Sequence, residues 1–172
     1  MGEVVEISIV CKKLKVYEQL LFFLTSYVNE DYIIEGIKAM DNWKYENLIV
    51  MKSFSDIEKI VQNKIVCIDL KTNNNYLGIF IEKKEGVFYI DGWINPKEEI
   101  IGQDYERFLN SFVDAFKHNK LVEICGVGKE IFVDYDLGFT QAIEKGHNID
   151  LWMVSSSKYI ISKKIKSKII YI

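Results

Sequence analysis

Between Ile65 and Ile94 the chain reads as three short alternating runs separated by two loops, and this constrains its fold more than any other feature. Ile65–Lys71, Tyr76–Glu82 and Val87–Ile94 are rich in β-branched and aromatic residues. TNNN (Thr72–Asn75) and KKEG (Lys83–Gly86) have the composition of hairpin loops. Three such strands make an antiparallel meander. A side-chain period of two puts Val66, Ile68, Leu70, Leu77, Ile79, Ile81, Phe88 and Ile90 on one face, which must be core. If each four-residue loop closes its hairpin squarely, Asp69 faces Gly78 and Gly78 faces Asp91. Cys67, Phe80 and Tyr89 then form one row, and Tyr76 with Trp93 another. The second face is a mixed surface. Its two carboxylates, with Cα atoms about 10 Å apart, flank a glycine gap between aromatic rows.

Around the meander, periodicity assigns the other elements. Val4–Val10 reads as a first strand, and Leu14, Tyr17, Leu20, Leu21, Leu24 and Val28 follow helical spacing. Ile33, Ile34, Ile37 and Met40 keep that spacing after a polar break and predict a second helix. Asn47–Met51 is a short apolar run of either type, and Ser55-Asp-Ile-Glu58 is a capping box that predicts a short helix to about Gln62. Tyr105, Phe108, Leu109, Phe112, Val113 and Phe116 form a helix with one wide apolar stripe. Leu121–Cys125 reads as a buried strand and Lys129–Leu137 as a short helix ended by Gly138. Phe139–Ile143 and Ile149–Val154 read as strands. The alternating tail Tyr159–Ile172 reads as an extra edge strand, with Lys164, Lys166 and Lys168 guarding the edge.

Composition narrows the functional classes. A chain of 172 residues with 49% hydrophobic and 27% charged residues suits one globular domain. A net charge of −3 supplies no general attraction to nucleic acid or an acidic membrane. Arg107 is the sole arginine, which restricts bidentate phosphate recognition. Cys11, Cys67 and Cys125 lie in apolar patterns and read as reduced core thiols. No apolar run is long enough for a membrane span, and the first residues lack a signal-peptide pattern, so the expected location is the cytoplasm. Asp134 and Asp136 form a D-x-D without further ligands nearby, and His118 and His147 lack partners at metal-ligand spacing.

Several of these pieces fall in an order with a precedent. A strand, two helices, three antiparallel strands, a helix, a strand, a helix and two strands cover residues 4–156. NNNYLGIFI (Asn73–Ile81), YIDGWINP (Tyr89–Pro96), YDLGF (Tyr135–Phe139) and DLWM (Asp150–Met153) stand at the matching places. In this the chain resembles the GNAT superfamily of acyl-CoA-dependent N-acyltransferases. The resemblance implies an α/β (α+β) fold: a GNAT-like mixed, mostly antiparallel, centrally splayed sheet with helices on both faces. It also implies a V-shaped gap between the strand ending at Pro96 and the strand at Leu121–Cys125. Acetyl-CoA or another acyl-CoA would lie there, against Ile94 and the helix start at Gly102 and Gln103. Asp91 would be the general base and Tyr135 the general acid, with Asp69, Tyr76, Phe80, Tyr89 and Trp93 around the acceptor amine.

The sequence departs from that family's pattern in two places. In the cofactor window Glu99–Asp104 only Gly102 fits, and Glu98, Glu99 and Asp104 oppose a pyrophosphate. The family's usual tyrosine position is Asp134, so Tyr135 stands one residue late. The alternative expectation is a non-catalytic binding protein, such as an immunity or regulatory protein. Its acidic–aromatic sheet face would dock a basic partner. The partners foreseen are a small-molecule or peptide amine or a basic protein, with a homodimer open and neither nucleic acid nor membrane expected.

Overall fold

The computed structural model describes residues 4–96, 104–155 and 166–172. The chain runs β1 (Val5–Cys11), α1 (Val16–Val28), β2 (Tyr32–Met40), β3 (Ile49–Met51), then a 3-10 turn (Phe54–Asp56) leading into α2 (Ile57–Ile60). The meander follows as β4 (Ile65–Thr72), β5 (Asn75–Lys84) and β6 (Val87–Pro96). The remainder is α3 (Tyr105–Phe116), β7 (Val122–Phe132), a 3-10 turn (Tyr135–Leu137), α4 (Phe139–Lys145), β8 (His147–Val154) and β9 (Lys168–Tyr171). The strands form one nine-stranded sheet in the order β3-β2-β4-β5-β6-β1-β7-β8-β9. Among the described residues only the β8–β9 pair is parallel.

The meander and its core face are as the alternation predicts, but one register differs. Asp69 does face Gly78. Gly78, however, faces Trp93, and Asp91 faces Phe80. The cause is the second loop. Lys84 pairs with Val87, so the connection is the two-residue turn Glu85-Gly86 rather than four residues. Both turn residues have positive φ, 49° and 84°, as a type I′ hairpin requires. The slip is two residues, so each side chain keeps its face while its row changes. Tyr76 accordingly lies opposite Asn95, not beside Trp93, and Tyr89 lies opposite Glu82.

Two segments adopt the other secondary structure. Tyr32–Met40 is a strand, not a helix, paired with β4 along its length. A bulge between Ile34 and Gly36 shifts its phase by one residue, so Ile34 and Ile37 share a face although they are three apart. That spacing imitates a helix. Conversely, Phe139–Lys145 is a helix whose Ala142 and Ile143 are buried, the i, i+3, i+4 pattern of a helical stripe. β7 also runs on to Phe132 where a helix was expected, and the capping residue before α2 is Ser53, whose side chain accepts from the Ser55 N–H. The predicted tail strand is seen as β9; its first part lies outside the described residues.

Helices cover both faces, unequally. α1 and α3 pack on the face carrying Ile7, Ile9, Ile79, Ile81 and Ile90. There Phe23 meets Phe108, Phe112 and Phe116 edge-on. On the other face α4 packs over β7 and β8 around Trp152, Val10 and Ile124. β1 lies between β6 and β7, paired to each over seven residue positions, so strands expected to splay apart are instead joined through a third. Among the described residues no helix is long and apolar enough to cross a membrane.

Candidate functional site

The part of the second face that α4 leaves open holds a pocket of about 470 Å³. Its floor comes from β1, β5 and β6. Register places Phe80, Asp91 and Ser8 in one row across those strands, with Gly78, Trp93 and Glu6 in the next. Glu82 and Tyr89 form the row on the other side of Asp91. One wall comes from the end of β7, where the pairing with β8 breaks between Gly128 and Phe132 and Glu130 takes a φ of 50°. This irregular segment lifts Ile131–Val133 and the Asp134–Asp136 turn over the floor. The Glu6 carboxylate holds it there by accepting the Ile131 N–H at 2.7 Å. The opposite wall is Trp43, from the loop between β2 and β3, whose ring meets Phe80 edge-on at 5.2 Å.

Asp91 sits at the centre of an aromatic ring of neighbours. Phe80 lies across the strand pair. Tyr89 and Trp93, two positions away on the same strand, share its face. Tyr135 stands above Ser8, 5.6 Å from the Tyr89 ring. Trp93 lies flat over β5 because Gly78 has no side chain; a Cβ at Gly78 would fall inside the indole.

Burial raises the Asp91 carboxyl from 3.8 to about 6; a hydrogen bond from Ser8 opposes that rise, Glu6 and Glu82 add to it, and Lys84 offsets part. Tyr135 Oη donates to Ser8 Oγ at 3.2 Å, and Ser8 faces Asp91 across the strand pair, so phenol, hydroxyl and carboxyl stand in line. Burial holds the Tyr135 phenol well above its ordinary value, so it keeps its proton at neutral pH. Asp91 and Tyr135, proposed from sequence as separate base and acid, thus stand on either side of Ser8.

Of the other residues singled out in the sequence, Phe80, Tyr89 and Trp93 line the pocket. Asp69 and Tyr76 do not. Asp69 bonds Lys38 at 2.8 Å and accepts the Cys67 thiol at 3.3 Å. Tyr76 points to solvent at the edge of the same face, with the Lys71 ammonium 5.3 Å from its ring centre. Ile94 is buried in the core on the opposite face, and its backbone pairs with Val5 on one side and Leu77 on the other. Gly102 and Gln103 lie outside the described residues. Sequence reasoning missed Glu6, Ser8, Trp43, Glu82 and Lys84. Glu6 and Ser8 carried a signal, because they alternate with Val5, Ile7 and Ile9 on the first strand.

The charge of the pocket is one-sided. Among the described residues Glu6, Glu82, Asp91, Asp134 and Asp136 line it against Lys84 alone. The Lys84 ammonium sits 3.2 Å from Glu82 and 5.8 Å from the centre of the Tyr89 ring. The three cysteines are buried and free, and burial pushes Cys11 and Cys67 up to about 12. Among the described residues no cluster of three or more His, Cys, Asp or Glu is arranged to hold a metal. Comparison with protein-family models, with curated proteins and with solved structures finds no match.

Proposed function

We propose that this protein binds an organic cation in the acidic–aromatic pocket, carried by a small-molecule amine or by a basic side chain of a partner. The observation that carries this is Asp91, a carboxyl surrounded by Phe80, Tyr89, Trp93 and Tyr135 at the floor of an open cavity. A cation gains from the ring faces and from the carboxylate together, more so where water is partly excluded. The chain supplies an internal precedent in Lys84, whose ammonium rests between Glu82 and the Tyr89 ring. The pocket volume is within the ~300–1,000 Å³ usual for small-molecule sites.

A second reading, acyl transfer from acyl-CoA to the bound amine, draws on the Asp91–Ser8–Tyr135 line. A carboxyl near pH 6 is matched to accepting an amine proton. That reading also needs a place for the carrier beside Ile94, where β1 and β5 already pair on both sides.

Calorimetric titration separates the two. Amine binding that disappears in Asp91→Asn, with no heat from acetyl-CoA, is the result for a binding protein. Tight acetyl-CoA binding, followed by acylated amine in a mass spectrum, is the result for an enzyme. A lysine peptide titrated beside free amines distinguishes a protein partner from a small ligand.

A further inference from the structure

The geometry points to an alkylated ammonium, tertiary or quaternary, as the head group that the pocket selects over a primary amine. This rests on the cation-binding reading above and adds the chemical form of the cation.

A primary ammonium carries three N–H donors and loses water from each on burial, so it needs several acceptors close together. Two of the carboxylates at the floor already spend an acceptor site on the chain itself. Asp91 faces Ser8 across the β1–β6 pair. Glu6 takes the Ile131 N–H, and Glu82 takes Lys84. At the rim, Asp134 accepts the Asp136 N–H.

What the floor offers besides is a broad aromatic surface. Phe80, Trp93 and Trp43 stand on the side of Asp91 away from Lys84, and Lys38, on β2, is bonded to Asp69. A head group whose charge is spread over methyl groups fills such a space without donors left unpaired, while the faces of the rings and the Asp91 carboxylate meet its charge. The register makes this arrangement specific. Phe80 beside Asp91, and Trp93 two positions on, place two rings against one carboxyl, and Trp43 closes over Phe80.

Three probes with one hydroxyethyl tail test it: ethanolamine, choline and the neutral isostere 3,3-dimethylbutan-1-ol. Each is titrated calorimetrically into the full chain at pH 7.5. Choline is expected to bind about ten-fold more tightly than ethanolamine, and more tightly than the neutral isostere. In Trp43→Ala, altered at an exposed loop position that leaves the core intact, the ratio of choline to ethanolamine affinity is expected to fall toward one. Ethanolamine binding as tightly as choline would overturn the selection while leaving cation binding in place. Equal binding of choline and its neutral isostere would show that size, not charge, is read, and would overturn both. Failure of all three to bind at millimolar concentration would also remove both.

Discussion

Asp91 is held in the fold at a cost that its neighbours set. Its carboxyl is shifted from 3.8 to about 6, chiefly by burial. A raised acid constant means the folded state binds the proton more tightly than the unfolded chain. The contribution of Asp91 to stability is therefore greatest below about pH 4, falls as pH rises from about 4 to about 6, and stays lower above that range. The full difference is on the order of 3 kcal/mol. Asp91→Asn keeps an oxygen toward Ser8 and removes the charge, so it should raise the melting temperature at pH 7.5 and raise it only about a third as much at pH 4.5. Thermal melts at the two values check this, and an equal shift at both would show that charge burial is not the cause. Cation binding should run the opposite way, weakening as pH falls through about 6 and Asp91 becomes neutral.

Which site residues could be read from the sequence follows from the same geometry. Asp91, Phe80, Tyr89 and Trp93 were legible because the two-residue slip of the β5–β6 hairpin preserves their face. Asp69 was placed beside them only through the wrong loop length, and in the fold it belongs to Lys38. Ser8 and Glu6 had the right alternation, but nothing local says that β1 lies against β6. Trp43 sits in a loop without periodicity and reaches the pocket only through the β2–β3 connection.

At the scale of elements, the connection between β5 and β6 fixes where the aromatic rows fall. Glu85 and Gly86 both hold positive φ, which costs a glutamate more than an asparagine. Glu85→Asn gives the Asn-Gly pair that type I′ turns favour and should stabilise the chain by roughly 0.5 kcal/mol, read as a shift of the urea midpoint with unchanged slope. Gly78→Ala should act in the other sense. The new methyl meets the Trp93 indole, so the ring must move, at about 1–3 kcal/mol. Loss of cation binding beyond what the lower stability explains would mark Trp93 as part of the wall; unchanged binding would remove it. Element identity was legible for β1, α1, the meander, α3 and β8. It failed in β2, where a bulge imitates helical spacing, and in α4, a short helix whose apolar residues also fit a strand.

For the whole molecule, the decisive feature is the position of β1. The mixed α/β architecture with a mostly antiparallel sheet, which the resemblance implied, is present. Strand order was not legible in the sequence, because pairing of β1 with both β6 and β7 is a long-range event that no local pattern encodes. That placement has two consequences. It fills the space between β6 and β7 with a hydrogen-bonded strand, and it carries Ser8 and Glu6 to the pocket floor. As an interior strand buried on its core face, β1 should open only with the entire fold. Native-state hydrogen exchange is expected to show the Ile7 and Ile9 amides exchanging near the global unfolding free energy, and β3 far more readily. Fast exchange in β1 would contradict the strand order.

The central claim is that Asp91 and its aromatic neighbours bind an organic cation, and calorimetry of the wild-type chain and Asp91→Asn side by side, with choline and ethanolamine at pH 7.5, tests it most directly. The expected result is saturable binding of at least one cation to the wild type at one site per chain, lost in Asp91→Asn while its melt remains cooperative. Binding absent from the wild type, or retained undiminished in the folded variant, would contradict it.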